Sequence, residues 1–190
     1  MKKIKVVLKG TGEGLLMHST KSMEDEGIKS RAPKKYDSKE EAEKVAYRNE
    51  KNELFIPARC LKASMLNAST WYKVKGRQSL KPYLAAGARI EPSEVILRDV
   101  KTNKPLKTYV IDRRPVNIQK QRIIRSRPLI KDWKVEFEIT YNPELLPDPM
   151  STINLPLVEA GERVGVLDNR PHKSFGENGT FVVEKFLPGK

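Results

Sequence analysis

The sequence is poor in the side chains that build disulfide bonds and metal sites. It has 190 residues, and among them are one cysteine, Cys60, and two histidines. A single cysteine cannot form an internal disulfide bond, and so few thiol and imidazole groups argue against a structural zinc site. The sequence also has no Walker loop, HExxH, GxSxG or dinucleotide-binding fingerprint. We therefore expect a protein that holds no metal ion and no cofactor.

Long apolar runs are missing as well. No run approaches the roughly twenty residues that cross a bilayer, and Lys9 ends the first one far short of a signal-peptide core. We expect a cytoplasmic protein without a membrane-spanning segment. Charged residues make up 32% of the chain and hydrophobic residues 38%, which is typical of a folded domain with polar insertions rather than of a disordered chain.

Acidic residues are absent from two long windows. Residues 59–89 contain seven basic side chains and no acid, and residues 113–131 repeat that composition. The formal net charge is +13, and the stretch 101–134 contributes +9 of it, whereas residues 135–190 contribute −4. This asymmetry favours binding to a nucleic acid, because Lys and Arg contacts to phosphates release condensed counterions. The alternative is a solvated basic surface without a ligand.

The spacing of apolar residues predicts the secondary structure. Ile4, Val6 and Leu8 alternate in a first strand, and WKVEFEITY (133–141) alternates throughout. Two helices have one apolar stripe each. The expected elements are strands at 3–9, 53–56, 88–91, 133–141 and 180–186, helices at 57–69 and 153–164, and a short helix at 38–49 that Ser38 and Glu41 cap.

The stretch RRPVNIQKQRIIRSRP (113–128) holds five arginines, one lysine and no acid. Its second half precedes WKVEFEITY by only Lys131 and Asp132, so we expect the two to pair as an antiparallel hairpin. The order strand, helix, strand, strand, helix, strand then predicts an α+β protein with a ferredoxin-like βαββαβ core. That core occupies about 1–9, 53–71 and 117–187 of a single domain, and two insertions occupy about 10–52 and 72–116.

Three segments resemble the RAMP superfamily, the RNA-binding backbone subunits of CRISPR effector complexes. LFIPARCLKASMLNAS (54–69) is similar to the strand-turn-helix pattern IPGSSLKGALR of that family. VVLKGTGEGLLMHS (6–19) and the glycine-containing VGVLDNRPHKSFGENGTFVV (164–183) are reminiscent of its first turn and of its last loop. A free-standing relative, for example a phage-encoded one, would show the same residues.

The resemblance implies a subunit that oligomerises along single-stranded RNA or takes part in a ribonucleoprotein complex. It makes residues 19–37 the candidate flap, and it matches Lys62 to the lysine of the helix motif, where with Arg59 it would face phosphates. Cations interleaved with aromatic rings suggest single-strand contacts too, and the choice between RNA and DNA is open. The candidate contacts are Arg59, Lys62, Trp71, Lys73, Lys75, Arg77, Arg113, Arg114, Lys120, Arg122, Arg125, Arg127, Arg170 and Lys173.

Two other functions remain open. In related RNA-cleaving proteins an aspartate or a histidine near the first strand acts in cleavage, so His18 and Asp25 are candidates in a metal-independent or metal-assisted endoribonuclease. The chain could instead be an interaction protein that caps or mimics an RNA-bound filament.

Overall fold

The computed structural model describes residues 1–19, 37–74, 76–118 and 121–189, and at 117, 118, 121 and 122 it describes the backbone alone. This part of the chain forms a mixed α+β structure with two antiparallel sheets and five α-helices. Within it, no helix is long and apolar enough to cross a membrane.

The strands and helices have the following bounds. The strands are β1 Lys2–Gly10, β2 Leu15–Leu16, β3 Phe55–Pro57, β4 Ala88–Glu91, β5 Glu94–Arg98, β6 Val110–Ile118, β7 Gln121–Ile130, β8 Lys134–Tyr141 and β9 Phe181–Pro188. The α-helices are α1 Ser38–Lys44, α2 Ala58–Ala68, α3 Lys81–Gly87, α4 Leu155–Glu159 and α5 Pro171–Ser174. Turns of π-helix flank α4 on both sides, so residues 150–164 are continuously helical.

The larger sheet has the strand order β3-β5-β8-β1-β9, and β4 pairs with β8 beside β5. Its neighbouring strands are antiparallel. Because β4 and β5 pair with successive parts of β8, they act as one interrupted strand on that edge. Helix α2 lies in the connection from β1 to β4, and helix 150–164 lies in the connection from β8 to β9.

The expected core stripes are confirmed. The predicted inward residues of β1 and β8 and of both helices are at most 5% exposed. They are Ile4, Val6, Leu8, Leu61, Met65, Ala68, Trp133, Val135, Phe137, Ile139, Ile153, Leu157, Ala160 and Val164. Both helices pack on this apolar face, which leaves the opposite face of β1, β4 and β8 open.

Two glycines let large aromatic rings approach the backbone closely. The Trp133 indole lies against Gly10, and Phe181 lies against Gly161, so a Cβ atom at either glycine would overlap its neighbour. The first contact fixes the end of β1 against the start of β8, where the Gly10 N–H donates to the Trp133 carbonyl at 2.8 Å.

The expected hairpin between the basic stretch and WKVEFEITY is wrong. Strand β7 pairs along its length with β6 and at its end with β2, in a separate three-stranded sheet. Pro115 lies in β6, an edge strand, where a missing N–H costs no sheet hydrogen bond. The arginine-rich stretch therefore forms a hairpin with itself, named here the basic hairpin (β6 and β7).

The expected boundary between core and insertions also shifts. Strands β4 and β5 lie within 72–116, yet both pair with β8 in the larger sheet. Strand β7, expected in the core, belongs to the smaller sheet.

The start of the short helix differs from the expected capping box. Asp37 is the N-cap, its carboxylate accepts from the Lys39 N–H at 2.8 Å, and the helix ends at Lys44. Glu41 instead accepts from the backbone N–H of Ser126 at 2.9 Å and from Arg125 at 3.1 Å. Its carboxylate thus ties α1 to the edge of β7 beyond the short strand β2.

Candidate nucleic-acid interface

Three of the predicted arginines meet at one place, although they come from separate segments. Arg59 lies in the first turn of α2, Arg127 on β7, and Arg170 at the N-cap of α5. We call Arg59, Arg127 and Arg170 the arginine cluster. Arg59 and Arg170 lie near Cys60, Arg127 pairs with Asp168, and the side chain of Lys173 is exposed one helical turn after Arg170.

Asp168 is the carboxylate that pairs with the cluster. It forms a short ion pair with Arg127, whose side chain is only 13% exposed. The Asp168 N–H also donates to the Leu16 carbonyl at 3.1 Å, which fixes the carboxylate beside β2. Among the described residues, neither Arg59 nor Arg170 forms an ion pair with an acid. The cluster therefore has an excess of positive charge.

The pKa shifts of two neighbours indicate that Arg59 lies near Cys60 and Tyr47 and that Arg170 lies near Cys60. Burial raises the pKa of the Cys60 thiol, while the guanidinium groups of Arg59 and Arg170 oppose this shift. Burial likewise raises the pKa of the Tyr47 hydroxyl, which Arg59 opposes through its charge and a hydrogen bond. A partly buried thiol with a raised pKa is a poor nucleophile, and Cys60 packs against the hydrophobic core.

The cluster contains more hydrogen-bond donors than the surrounding protein uses. The Nε atoms of Arg127 and Arg170 are buried and find no acceptor among the described residues. Buried donors without partners are rare in folded proteins. Guanidinium groups bind phosphates in a two-pronged geometry, so an acceptor-rich anion matches this composition.

The N-terminus of α2 adds to the positive potential. Its N-cap is Pro57, which supplies no capping side chain, and its first turn contains no acid. The partial positive charge of an eleven-residue helix is thus not offset by a neighbouring carboxylate of the helix itself. Arg59 projects from this same turn.

The 165–179 loop is held in place by the surrounding backbone. The Ser64 hydroxyl of α2 donates to the Gly165 carbonyl at 2.7 Å. Asn178 is fully buried, and its amide donates to the Gly14 carbonyl at 3.3 Å. Gly14 in turn accepts from the Gly179 N–H at 2.8 Å. These bonds bring the first glycine-containing turn, α2 and the loop that carries Arg170 together.

Of the two predicted catalytic residues, the structure describes only His18. The His18 side chain is exposed, and its backbone carbonyl accepts from the Tyr47 hydroxyl at 3.5 Å, so the His18 backbone lies beside a neighbour of Arg59. Asp25 lies outside the described residues, as does nearly all of the candidate flap at 19–37.

The basic hairpin is a second positive surface, and its arginines have acidic neighbours. Arg114 donates to Asp112 at 2.9 Å and to Glu13 at 3.2 Å, and Arg125 pairs with Glu41. Arg113 is exposed on the same strand as Arg114. Lys120 and the side chain of Arg122 lie outside the described residues.

Lys62 has a structural partner. Its ammonium donates to the carbonyls of Ala85 and Ala88 at 2.8 Å each, which closes the C-terminus of α3. Burial, with a smaller contribution from Arg89, lowers the pKa of Lys62. Its predicted phosphate contact stays a prediction.

The remaining candidates lie at the other end of α2. Trp71, Lys73 and Arg77 follow its C-terminus, about 15 Å along the helix from Arg59. All three are exposed, and Trp71 is 49% exposed. Lys75 lies outside the described residues. The basic residues of the first acid-free window, 59–89, therefore do not form a single surface.

The open face of the larger sheet is basic too, but its composition differs. Its outward residues on β1, β4 and β8 include five cations and three carboxylates, and no aromatic ring. They are Lys3, Lys5, Val7, Lys9, Arg89, Glu91, Lys134, Glu136, Glu138 and Thr140. RNA-binding sheet faces of the RRM type use aromatic rings to stack bases, which this face lacks.

Three functional neighbours are not evident from the sequence. Tyr47, Asp168 and Phe175 complete the surroundings of the cluster or of its loop. Asp168 reads as an ordinary turn residue, since its partner Arg127 is 41 positions away. For Phe175 the sequence offered one signal. It is a lone aromatic residue in a glycine-rich polar loop without apolar periodicity, which indicates that the ring does not belong to the core.

No protein-family model matches the chain, and no curated protein matches it significantly. Among the described residues no group of three or more His, Cys, Asp and Glu side chains is placed to hold a metal ion.

Proposed function

We propose that the protein binds single-stranded nucleic acid, RNA rather than DNA, in the cytoplasm, and that the arginine cluster holds its phosphates. The observation that carries this proposal is that Arg59 and Arg170 lie near Cys60 at the start of α2, which has no capping side chain, and that Arg127 pairs with Asp168, two residues before Arg170. Three guanidinium groups with surplus donors suit a phosphate backbone better than a neutral ligand.

The strand order supports a ferredoxin-like core within this proposal. β9, β1, β8 and the interrupted strand β4-β5 lie side by side, and helices α2 and 150–164 make the two crossover connections. This is the arrangement expected of a βαββαβ unit. The preference for RNA, and assembly along the strand as in RAMP-like subunits, rest on the motif resemblance at 6–19, 54–69 and 164–183.

The direct test is a titration of labelled oligouridylate with the protein at several salt concentrations. If four to six phosphates are neutralised, log K should fall with log[salt] at a slope of about −3 to −4. A slope near zero would contradict the proposal. The same titration with oligodeoxythymidylate measures the preference for RNA.

Assembly along the strand has its own readout. A subunit of this size covers few nucleotides, so long oligonucleotides should give cooperative ladders where short ones give single complexes. One-to-one complexes at every length, measured by light scattering, would favour a solitary binder.

One observation favours a second candidate function, RNA cleavage. His18 is exposed, and its backbone carbonyl accepts from the hydroxyl of Tyr47, a side chain that Arg59 also contacts. Histidine is a common general acid or base near neutral pH. Cleavage of end-labelled RNA that His18→Ala abolishes without loss of affinity would establish it, and an uncut strand would leave binding as the function.

A further inference from the structure

The 165–179 loop presents one aromatic ring fully to solvent. Phe175 is 96% exposed, more than any other large hydrophobic residue of the described chain. The remaining exposed side chains of residues 171–177 are polar or charged, namely His172, Lys173, Ser174 and Glu177. Within residues 171–177 the ring thus has no exposed apolar neighbour, so the loop itself offers no contiguous apolar patch of the kind that marks protein-docking surfaces.

The backbone that holds Phe175 is unusual for its residue type. Phe175 follows the last residue of α5 with φ +54°, the left-handed region. Glycine or asparagine is usual at this position, and bulky residues seldom adopt this conformation. The neighbouring Gly176 has a different task, because it lies so close to Asn169 that a Cβ atom would overlap. A conformational outlier with an exposed ring points to a function for the ring.

The loop is anchored on both sides of Phe175. On the near side, the Ser174 N–H donates to the Arg170 carbonyl at 2.9 Å. On the far side, the Asn178 side chain accepts from the Asn169 amide at 2.7 Å and is itself fully buried. A ring on an anchored loop loses less conformational freedom when it binds a planar partner.

The charges beside the ring select the class of partner. His172 and Lys173 are exposed next to it, and Arg170 of the cluster begins the same short helix. An aromatic ring among cations is the arrangement that holds single strands, because each base has a face that can stack and each phosphate a charge to pair.

We propose that Phe175 stacks on an unpaired base of the strand whose phosphates the arginine cluster holds. This inference rests on the proposed function and adds a contact to the base, whereas the arginines contact the backbone. It predicts that the protein distinguishes a strand with bases from one without them.

The test compares the parent protein, Phe175→Ala and Phe175→Trp on oligouridylate and on an abasic strand of equal length. Stacking contributes ~1–3 kcal/mol per base, so Phe175→Ala should lose about 5- to 150-fold in affinity for oligouridylate. The salt slope should stay unchanged, because no phosphate contact is removed. On the abasic strand the parent and Phe175→Ala should bind equally, and Phe175→Trp should retain affinity and show fluorescence quenching by oligouridylate.

Leu187→Ala is the matched control, since Leu187 is an apolar side chain 57% exposed on β9. It should bind like the parent. If Phe175→Ala binds oligouridylate as the parent does while Arg59→Ala weakens binding, the stacking inference is overturned and the proposed function stands. If the parent shows no salt-dependent binding at all, the proposed function itself fails. A Phe175→Ala protein that keeps its RNA affinity but loses a protein partner would also overturn the stacking inference.

Discussion

The open face of the larger sheet and the arginine cluster both carry excess positive charge, but they arrange it differently. On the open face, lysines alternate with glutamates, and Lys3 lies 2.9 Å from Glu138. In the cluster, Arg127 pairs with Asp168, while Arg59 and Arg170 form no ion pair with an acid among the described residues. A phosphate on the open face would therefore lie beside a carboxylate, whereas one at the cluster would meet mainly donors. The number of cations in a region is thus a weaker guide to binding than the positions of its acids.

The basic hairpin lies between these two cases. Arg114 contacts both Asp112 and Glu13, so its charge is largely offset. Arg125 is held by Glu41, a residue of α1 that also caps the edge of β7. Apart from Arg127, which belongs to the arginine cluster, each arginine of this hairpin should contribute less to binding than those of the cluster.

The largest expected effect is a loss of stability from a substitution on the buried side of β8, whose other side belongs to the open face. Phe137 is 5% exposed in β8, and Phe137→Ala should lower the free energy of unfolding by about 3–5 kcal/mol. The RNA affinity of the folded fraction should not change, because Phe137 lies in the core and contributes no charge to the arginine cluster. Urea unfolding and titration at low temperature measure the two quantities. A stability loss below about 1 kcal/mol would contradict the assigned core position.

The next test removes one carboxylate from the arginine cluster and one from the open face, and compares the effects on stability and RNA binding. Asp168→Asn leaves the Arg127 charge largely buried without its partner, so it should cost about 1–3 kcal/mol of stability. It should also tighten RNA binding by about two- to tenfold, because the cluster gains net positive charge. The matched variant Glu138→Gln on the open face should leave both the unfolding midpoint and the affinity unchanged. If Glu138→Gln tightened binding as much as Asp168→Asn, the two regions would be equivalent.

A smaller change in stability is expected in the basic hairpin. The double variant Arg122→Ala, Arg125→Ala should lose only about 0–1 kcal/mol, because the Arg125–Glu41 pair is partly exposed. If the hairpin contacts the strand, affinity should fall by at least about tenfold, or ~1.4 kcal/mol. The salt slope should become shallower by about 0.7 to 1.4. An unchanged affinity together with a large loss of stability would make the hairpin arginines structural.

The elements with a clear apolar period were predictable from the sequence. Val135, Phe137 and Ile139 face the core as their alternation predicts, and Leu61 and Met65 form the buried stripe of α2. A period of two identifies the inward face of a strand but not its partner. The pairing of β7 was therefore predicted wrongly, because WKVEFEITY follows it directly in the sequence, whereas most of its actual partner β6 falls in the expected insertion at 72–116.

The site was predictable only in part. Arg59, Arg127 and Arg170 were each candidates because of local charge, but their meeting depends on the packing of α2, β7 and the 165–179 loop. The ion pair of Arg127 joins residues 41 positions apart, and no local pattern specifies such a contact. Lys62 is the opposite case, because the sequence suggested a phosphate contact and missed its structural partner. Its ammonium binds the carbonyl end of α3, an element that the sequence did not predict.

The most direct test of the central claim compares two double variants that each remove two positive charges. One is Arg59→Ala with Arg170→Ala in the cluster, and the other is Lys3→Ala with Lys5→Ala on the open face. Affinity for oligouridylate is measured against salt concentration, with thermal melting to verify folding. The cluster variant should lose at least about tenfold in affinity and about 1.4 from its salt slope, while the lysine variant stays within about twofold of the parent. An equal loss in both variants, or a larger loss in the lysine variant, would contradict the account.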